Sequence, residues 1–581
     1  MPAMELVAPV AARVADLPVV AGQLVVEGDI LALLEVMKME HPVLAPSSGS
    51  VRRLHVEVGD TVEPGQVLVA LDPSAAPGDG EEGDVEPGGE LLDQVRRRHG
   101  LGRDEARPTA VESRRRRGHR TIRENIADLC TDFVEYGPLA IAAQRSRRDL
   151  DDLMRATPAE GMVAGIGRVP AHAGSTDDRL ALIGYDYTVL AGTQGFQNHR
   201  KKDRIFALAA EMDLPTVLFA EGGGGRPGDV DWPGVSMLEV RAFRLFGQIT
   251  APTIGVTTGY CFAGNAALLG QCDVIVATSD SNLGMGGPAM IEGGGLGTFA
   301  PGEVGPAATQ AANGVIDVVV DDDPSAVEVV RRLLGLVRGP GRPGTAPEVD
   351  KARQVVPENR RRLFDMRRVI ASVVDSDSFL ELRAAFAPAA ITGFGRVEGY
   401  PVGIIANDPG HLAGAIDHHA AVSLERHLRL CERWRIPVLS LVDTPGFMVG
   451  PEAEAEGLVR SAGSLFRTVA GLEVPVGAVV VRRAYGLGAM AMAGGGFHEG
   501  RFVVGWPTSE LGPMGLEGAV RLGFKRELEA FEDPDAQEAE VERRVAEMLE
   551  VGRGINVATH FEIDDVIDPA DTRAWILTCL T

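Results

Sequence analysis

An internal repeat constrains this chain more than any other feature. Shifted by 222 residues, Asp186, Leu190-Ala191-Gly192, Arg204, Leu208 and Pro215 fall on Asp408, Leu412-Ala413-Gly414, Arg426, Leu430 and Pro437. Residues 216–221 then overlie 438–443, each an apolar run entering a loop, and at a shift of 223 residues 252–266 overlie 475–489 without a gap. Upstream, Gly165-Ile166-Gly167-Arg168-Val169 recurs as Gly393-Phe394-Gly395-Arg396-Val397. Two homologous domains follow, expected over residues 120–340 and 355–581, joined by a Gly-, Pro- and Arg-rich stretch at 337–347. Within each copy, short apolar runs (217–220, 254–257, 274–277; 438–442, 476–481, 502–504) alternate with helix-length segments at 197–212 and 416–434. Buried strands alternating with helices make an α/β fold. Doubly wound and spiral βα folds both satisfy the pattern.

The N-terminus reads differently. Strand-like runs at 23–26, 30–34, 50–58 and 66–71 are separated by the turn signals Glu27-Gly28-Asp29, Ala45-Pro46, Gly59-Asp60 and Pro64-Gly65. The pairing of Val26–Asp29 with Val58-Gly59-Asp60 predicts a small all-β flattened barrel of two related halves over residues 1–72, with Lys38 at a hairpin tip between Met37 and Met39. A rigidly presented lysine between short apolar strands resembles the attachment site of biotinyl carrier domains. That resemblance implies biotin, covalent on Lys38 and added by a biotin protein ligase, with lipoate as the rival because lipoyl domains share the fold. Between 72 and 89 the chain turns to Pro, Gly, Ala and acid, a composition that behaves as a tether. A flexible linker is expected over 73–119. Arg96–Arg98 and Arg114–Arg117 within it are expected to form a solvated face, with phosphate contact as the alternative, before a helical region over about 121–155.

The formal charge of −25 argues against a nucleic-acid surface. Cys130, Cys261, Cys272, Cys431 and Cys579 form no Cys-x-x-Cys pair, so neither a zinc ribbon nor a disulfide framework is indicated and the chain reads as cytoplasmic. No signal peptide or membrane span is legible; the apolar run at 474–481 ends at Arg482-Arg483.

Phosphate-loop, nucleophile-elbow, zincin and dinucleotide fingerprints are absent. His418-His419 are adjacent helical residues that share no face and read as ordinary positions. Glu221 and Asp443 end matching strands, where an acid is ordinarily a cap, with base or ligand as the alternative. The repeat instead highlights two equivalent turns, Cys261-Phe262-Ala263-Gly264-Asn265-Ala266 and Ala484-Tyr485-Gly486-Leu487-Gly488-Ala489. A small-residue turn from a strand into a helix leaves backbone N–H groups unpaired and pointing outward. Such a turn is an oxyanion hole, and it needs no side-chain nucleophile.

With these turns in place, residues 120–550 resemble the carboxyltransferase β-type subunits of acyl-CoA carboxylases. The matching segments are Leu283-Gly-Met-Gly-Gly-Pro288, Val442-Asp-Thr-Pro-Gly-Phe447, Arg483-Ala-Tyr-Gly486 and Trp506-Pro-Thr508. The resemblance implies two tandem crotonase-like spiral domains and an acyl-CoA substrate that meets biotin between one subunit and another, hence a dimer or hexamer. It implies backbone oxyanion holes at Gly264 and Asn265 for the thioester and at Leu487 and Gly488 for the biotin ureido oxygen. The departures from the family's small residues, Asn265 and Leu487, are expected to matter little because backbone N–H groups act there. It marks Met490 as a candidate for acyl selectivity. The implied activity is transfer of a carboxyl group from carboxybiotin to the α-carbon of an acyl-CoA, in a C–C bond-forming ligase whose ATP chemistry belongs to a separate biotin carboxylase subunit. The rivals are a biotin-dependent decarboxylase or transcarboxylase, and an inactive acyl-CoA-binding carrier or assembly module.

Overall fold

The computed structural model describes residues 3–36, 39–73, 89–169, 178–226, 229 and 240–581, and the chain divides into two compact units, Met1–Gln94 and Val95–Thr581. Lys38 and Met37 lie outside the described residues.

The first unit carries two four-stranded antiparallel sheets. One orders Met4–Val7, Val67–Asp72, Gly49–Leu54 and Leu24–Val25; the other orders Met39–Leu44, Ile30–Val36, Ala12–Asp16 and Thr61–Val62. Val14, Leu31, Leu34, Val51, Leu68 and Leu71 fill the space between them and are all but inaccessible to solvent. The two halves superpose in sequence at a shift of 37, strand for strand. That register corrects the turn pairing expected from sequence. Val26–Asp29 is equivalent to Glu63–Gln66, and Val20–Gln23 to Glu57–Asp60. In all four, the last side chain accepts a hydrogen bond from the first residue's backbone N–H (2.8–3.1 Å), a local clamp that glutamine and aspartate supply alike.

In the second unit, Thr131–Glu135, Met162–Arg168 and Arg179–Tyr185 form an antiparallel edge, and Thr216–Phe219, Thr253–Thr257, Val274–Thr278 and Val318–Val320 continue in parallel. The second copy repeats this with Leu380–Leu382, Ala390–Val397 and Tyr400–Asn407 antiparallel, then Val438–Thr444, Val476–Tyr485, Phe502–Gly505 and Asp565–Val566 parallel. Strand order follows chain order without reversal, so neither sheet has the switch point of a doubly wound fold. Of the two architectures that the sequence left open, the spiral one forms. Each copy adds a short parallel ladder beside its turn: Tyr260–Phe262 with Asn282–Gly284, and Arg483 to Tyr485 with Glu510–Gly512. The parallel strands are buried almost throughout, as sheets covered on both faces must be. One apolar core runs through both copies, and Asp317 of the first meets Arg383 of the second at 2.5 Å, both 1% exposed.

The flexible linker expected over 73–119 is not seen over 89–119. Helices Gly89–Gly100 and Pro108–Arg115 form there, and Arg114, read as part of a solvated face, is 6% exposed and binds Glu221 through both guanidinium nitrogens at 2.5 and 2.8 Å. Composition failed because a buried ion pair, not apolar area, ties this segment down. The helical region expected over 121–155 is also broken up. A Thr121/Glu124 capping box starts helix Ile122–Leu129, edge strand Thr131–Glu135 follows, and only Leu150–Ala156 is helical again.

Candidate active site

Each half builds its turn in the same way. In the first, strand Tyr260–Phe262 ends at Ala263, whose backbone sits at φ 53° and ψ −126° before helix Gly264–Leu269. In the second, strand Val476–Tyr485 ends at Gly486, with φ 56°, before helix Gly486–Met492. Positions 263 and 486 correspond at a shift of 223. A positive φ is free for glycine but costs an alanine of order 1–3 kcal/mol, so the first turn keeps this conformation against strain. Ala263 is fixed by its N–H bond to the Gly284 carbonyl (3.0 Å). The N–H groups of Gly264, Asn265 and Ala266, and those of Leu487 and Gly488, lie in the first three positions of their helices, where no carbonyl of the same helix can accept from them. Unpaired donors at a helix start suit an oxygen that gains negative charge.

What lies beneath the turns differs. Asn265 is fully buried, and its side chain does more than the sequence reading allowed. Nδ2 donates to the Gly192 carbonyl at 3.0 Å and to the Glu221 carbonyl at 2.6 Å, while Oδ1 accepts from Gln194 Nε2. Gln194 Oε1 in turn accepts from Lys202 Nζ, which reaches the Tyr185 hydroxyl at 3.1 Å. This chain of four buried side chains anchors the first turn to two carbonyls, Gly192 of the turn Leu190–Gly192 and Glu221 just past strand Thr216–Phe219. Burial drives the Lys202 amine well below its ordinary pKa, since no carboxylate among the described residues pairs with it. At the matching places of the second half stand Asn407, Ile416, Leu424 and Gly488. There the turn rests on backbone: a Cβ added to Gly488 would lie 2.8 Å from Gly446 C and Cα. Leu487 points outward at 62% exposure, and Met490, one helical turn on, is 36% exposed.

The acids at the ends of matching strands are ion-pair partners. Glu221 holds Arg114, and Asp443 holds Arg482 Nη2 at 2.8 Å and Arg483 Nε at 2.7 Å. Burial raises the Glu221 pKa, and Arg114 opposes that rise. Neither acid is free to act as a base. Gly264 and Asn265 thus share one turn with Gln194 and Glu221, and Leu487 and Gly488 share another with Gly446, each turn in its own half. No cluster of His, Cys, Asp or Glu among the described residues could hold a metal, and none of their helices is long and apolar enough to cross a membrane. His418 and His419 meet edge-on, and His419 meets Phe386 in the same way.

The family model "Carboxyl transferase domain" matches residues 113–581, which contain both turns. This chain belongs to the carboxyl transferase family. The model "Biotin-requiring enzyme" matches residues 4–71 of the same carboxyl transferase, so its cofactor is biotin carried on a lysine of the first unit. The strands flanking residues 37–38 fit that role: they pair antiparallel up to Val36 and Met39, at the end of the sheet. Among curated relatives, the methylmalonyl-CoA carboxyltransferase 12S subunit of Propionibacterium freudenreichii subsp. shermanii is 30% identical over 81% of this chain and 90% of its own length. The biotin-dependent long chain acyl-coenzyme A carboxylase beta4 subunit of Mycobacterium tuberculosis is 30% identical over 83% and 92%. Among solved structures, a single-chain, multi-domain long-chain acyl-CoA carboxylase matches all of this chain at 47% identity and TM-score 0.80, and this chain spans 56% of its length. The transcarboxylase 12S hexamer with methylmalonyl-CoA bound matches 85% of this chain and 94% of its own, at 28% identity and TM-score 0.72. The two α/β halves are therefore crotonase-like domains, and the chain is a carboxyltransferase of the acyl-CoA carboxylase type with its biotin domain in front.

The chain Tyr185–Lys202–Gln194–Asn265 escaped the sequence reading. Its only signal was a polar residue at each place where the second copy carries an apolar residue or glycine, Tyr185 apart.

Proposed function

We propose that this protein carboxylates the α-carbon of an acyl-CoA, working with a separate biotin carboxylase, and that Lys38 carries the biotin. Biotin supplies the carboxyl group to be transferred. The chain's own contribution is to hold two anionic oxygens. The N–H groups of Gly264, Asn265 and Ala266 would receive the thioester oxygen as it gains negative charge, and those of Leu487 and Gly488 the ureido oxygen. Oriented donors in a water-poor site stabilise such charge without reorganising. The observation that carries this reading is the repeated turn with its positive φ at equivalent positions, 53° at Ala263, where it is strained, and 56° at Gly486, where it is not. A long acyl chain is favoured by the 47% identity to a long-chain carboxylase across the whole sequence. The hexamer assembly of the transcarboxylase 12S supports a homo-oligomer.

The likeness to a methylmalonyl-CoA carboxyltransferase subunit favours one second reading, transfer between two acyl compounds without ATP. A panel from acetyl-CoA to long-chain acyl-CoAs, assayed with bicarbonate, ATP and an added biotin carboxylase, separates the two. ATP-dependent product that peaks on long chains supports carboxylation. Product formed only from a carboxylated acyl donor supports the second reading. A Lys38→Ala chain should lose the streptavidin signal of biotin and all transfer; a retained signal excludes Lys38.

A further inference from the structure

An open pocket of about 460 Å³ lies beside the second turn, lined by Arg360, Arg361, Arg362, Arg482, Arg483 and Tyr485, with Glu517 at its edge. Five guanidinium groups in one pocket are unexpected in a chain of net charge −25. Three are partly satisfied. Arg360 faces Glu510 and Glu517, and Arg482 and Arg483 share Asp443. Arg361 meets only Glu542, at 3.8 Å with both side chains well exposed, and the Arg362 side chain has no partner among the described residues. Arg482 is 4% exposed yet its Nε is unpartnered, while its Nη1 grips the Arg362 carbonyl at 2.8 Å and so pins the arginine loop to the pocket. Five positive charges against four carboxylates (Glu510, Glu517, Asp443 and Glu542) leave an excess of one. The corresponding place in the first half has closed: Arg114 folds onto Glu221 and leaves about 10 Å³. The two halves therefore differ in whether an anion can enter beside the turn.

We propose that this pocket is a phosphate-binding site of the second half, taking either the phosphorylated nucleotide end of a CoA molecule or a free diphosphate. The excess of guanidinium charge draws an anion, and forked guanidinium groups bind phosphate oxygens in pairs. The volume lies within the ordinary range for small-molecule sites. A CoA held here lies against the turn that biotin needs, so excess CoA or acyl-CoA competes with carboxyl transfer.

The test is calorimetric titration of the full chain with pyrophosphate and, separately, with adenosine 3′,5′-bisphosphate, the nucleotide end of CoA. Pyrophosphate should bind the wild-type protein, and Arg361→Ala/Arg362→Ala should weaken that binding at least about tenfold, the loss expected for charge-assisted contacts. Both residues are exposed, so the melting temperature should not move; Arg361→Glu/Arg362→Glu should abolish binding under the same control. If the double variant also removes one nucleotide-binding event per chain, CoA is the source. If it affects pyrophosphate alone, the site serves free diphosphate. No pyrophosphate binding by the wild-type protein, or equal binding by the variants, overturns the proposal.

Discussion

Replacing Asn265 by Ala tests whether the first turn is held by a side chain. The substitution removes three hydrogen bonds in a fully buried place and strands the Gly192 carbonyl, the Glu221 carbonyl and the Gln194 amide. A buried hydrogen bond contributes about 1 kcal/mol net, and each stranded partner adds a desolvation penalty of about 1–3 kcal/mol. Gln194 can rotate to recover part of its loss, so the expected destabilisation is about 3–5 kcal/mol. The cost is local: Asn265 links the start of helix Gly264–Leu269 to the turn Leu190–Gly192 and to Glu221, so the donors of the turn lose their aim as well. Losing one well-aimed oxyanion donor slows transfer about 10²–10³-fold. Chemical denaturation, amide exchange at residues 264–270 and acyl-CoA-dependent transfer below the melting transition report these three effects. Leu487→Ala is the control, an exposed change expected to move stability by less than about 0.5 kcal/mol. An Asn265→Ala protein with wild-type stability, protected amides and full rate would refute the reasoning and restore the expectation that this side chain is dispensable.

Gly488→Ala places a Cβ 2.8 Å from the Gly446 backbone; transfer should fall at least about tenfold while acyl-CoA binding, read by calorimetry, stays near wild type if the thioester uses the first turn. Lys202→Leu should cost about 2–4 kcal/mol by leaving Gln194 and Tyr185 unpaired. The triple change Gln194→Ile/Lys202→Leu/Asn265→Gly, which gives these three places the second half's residues, should cost less than the sum of its singles, because Gln194, Lys202 and Asn265 no longer strand one another and only the Gly192 and Glu221 carbonyls and the Tyr185 hydroxyl stay unpaired. Glu160 is fully buried, and desolvation lifts its pKa to about 7 against the pull of Arg226. The folded state therefore binds more protons than the unfolded between pH about 4.5 and 7, and stability from this group is present below that window and lost as pH rises through it. Glu160→Gln should flatten that fall in a pH series of denaturation curves, an effect of up to about 3 kcal/mol; an unchanged slope rejects it.

The repeat and both turns were legible because a backbone turn can only be written in small residues, and two copies wrote it twice; the spiral order was not, since alternating strands and helices satisfy a doubly wound sheet equally well. The frame of Lys38 was legible for the same reason, through its glycine turns. The equivalences within the barrel were not. Val26–Asp29 and Val58 to Asp60 look alike but belong to different turns, since Gln23 and Gln66 perform the same clamp as Asp60 and Asp29 with a different residue. The support of the first turn was hidden for another reason. Lys202 and Gln194 are ordinary helix and loop residues until the fold closes, and Asn265 is informative only through partners 71 and 73 residues away. Arg114 is the extreme case, paired across 107 residues with an acid that looked like a cap.

The Arg114–Glu221 latch has a practical corollary for anyone who wishes to separate this enzyme from its carrier. Cutting at residue 120, where composition alone draws the boundary, discards Arg114 and also Arg107, which holds Asp186 at 2.8 Å and Thr188 at 2.6 Å. Two carboxylates would then be entombed without their counter-ions, a defect worth several kcal/mol each, and the truncated protein would be expected to precipitate for reasons unrelated to its chemistry. A shortened version that begins before Asp104 keeps both arginines and gives the catalytic half of the molecule a fair trial alone.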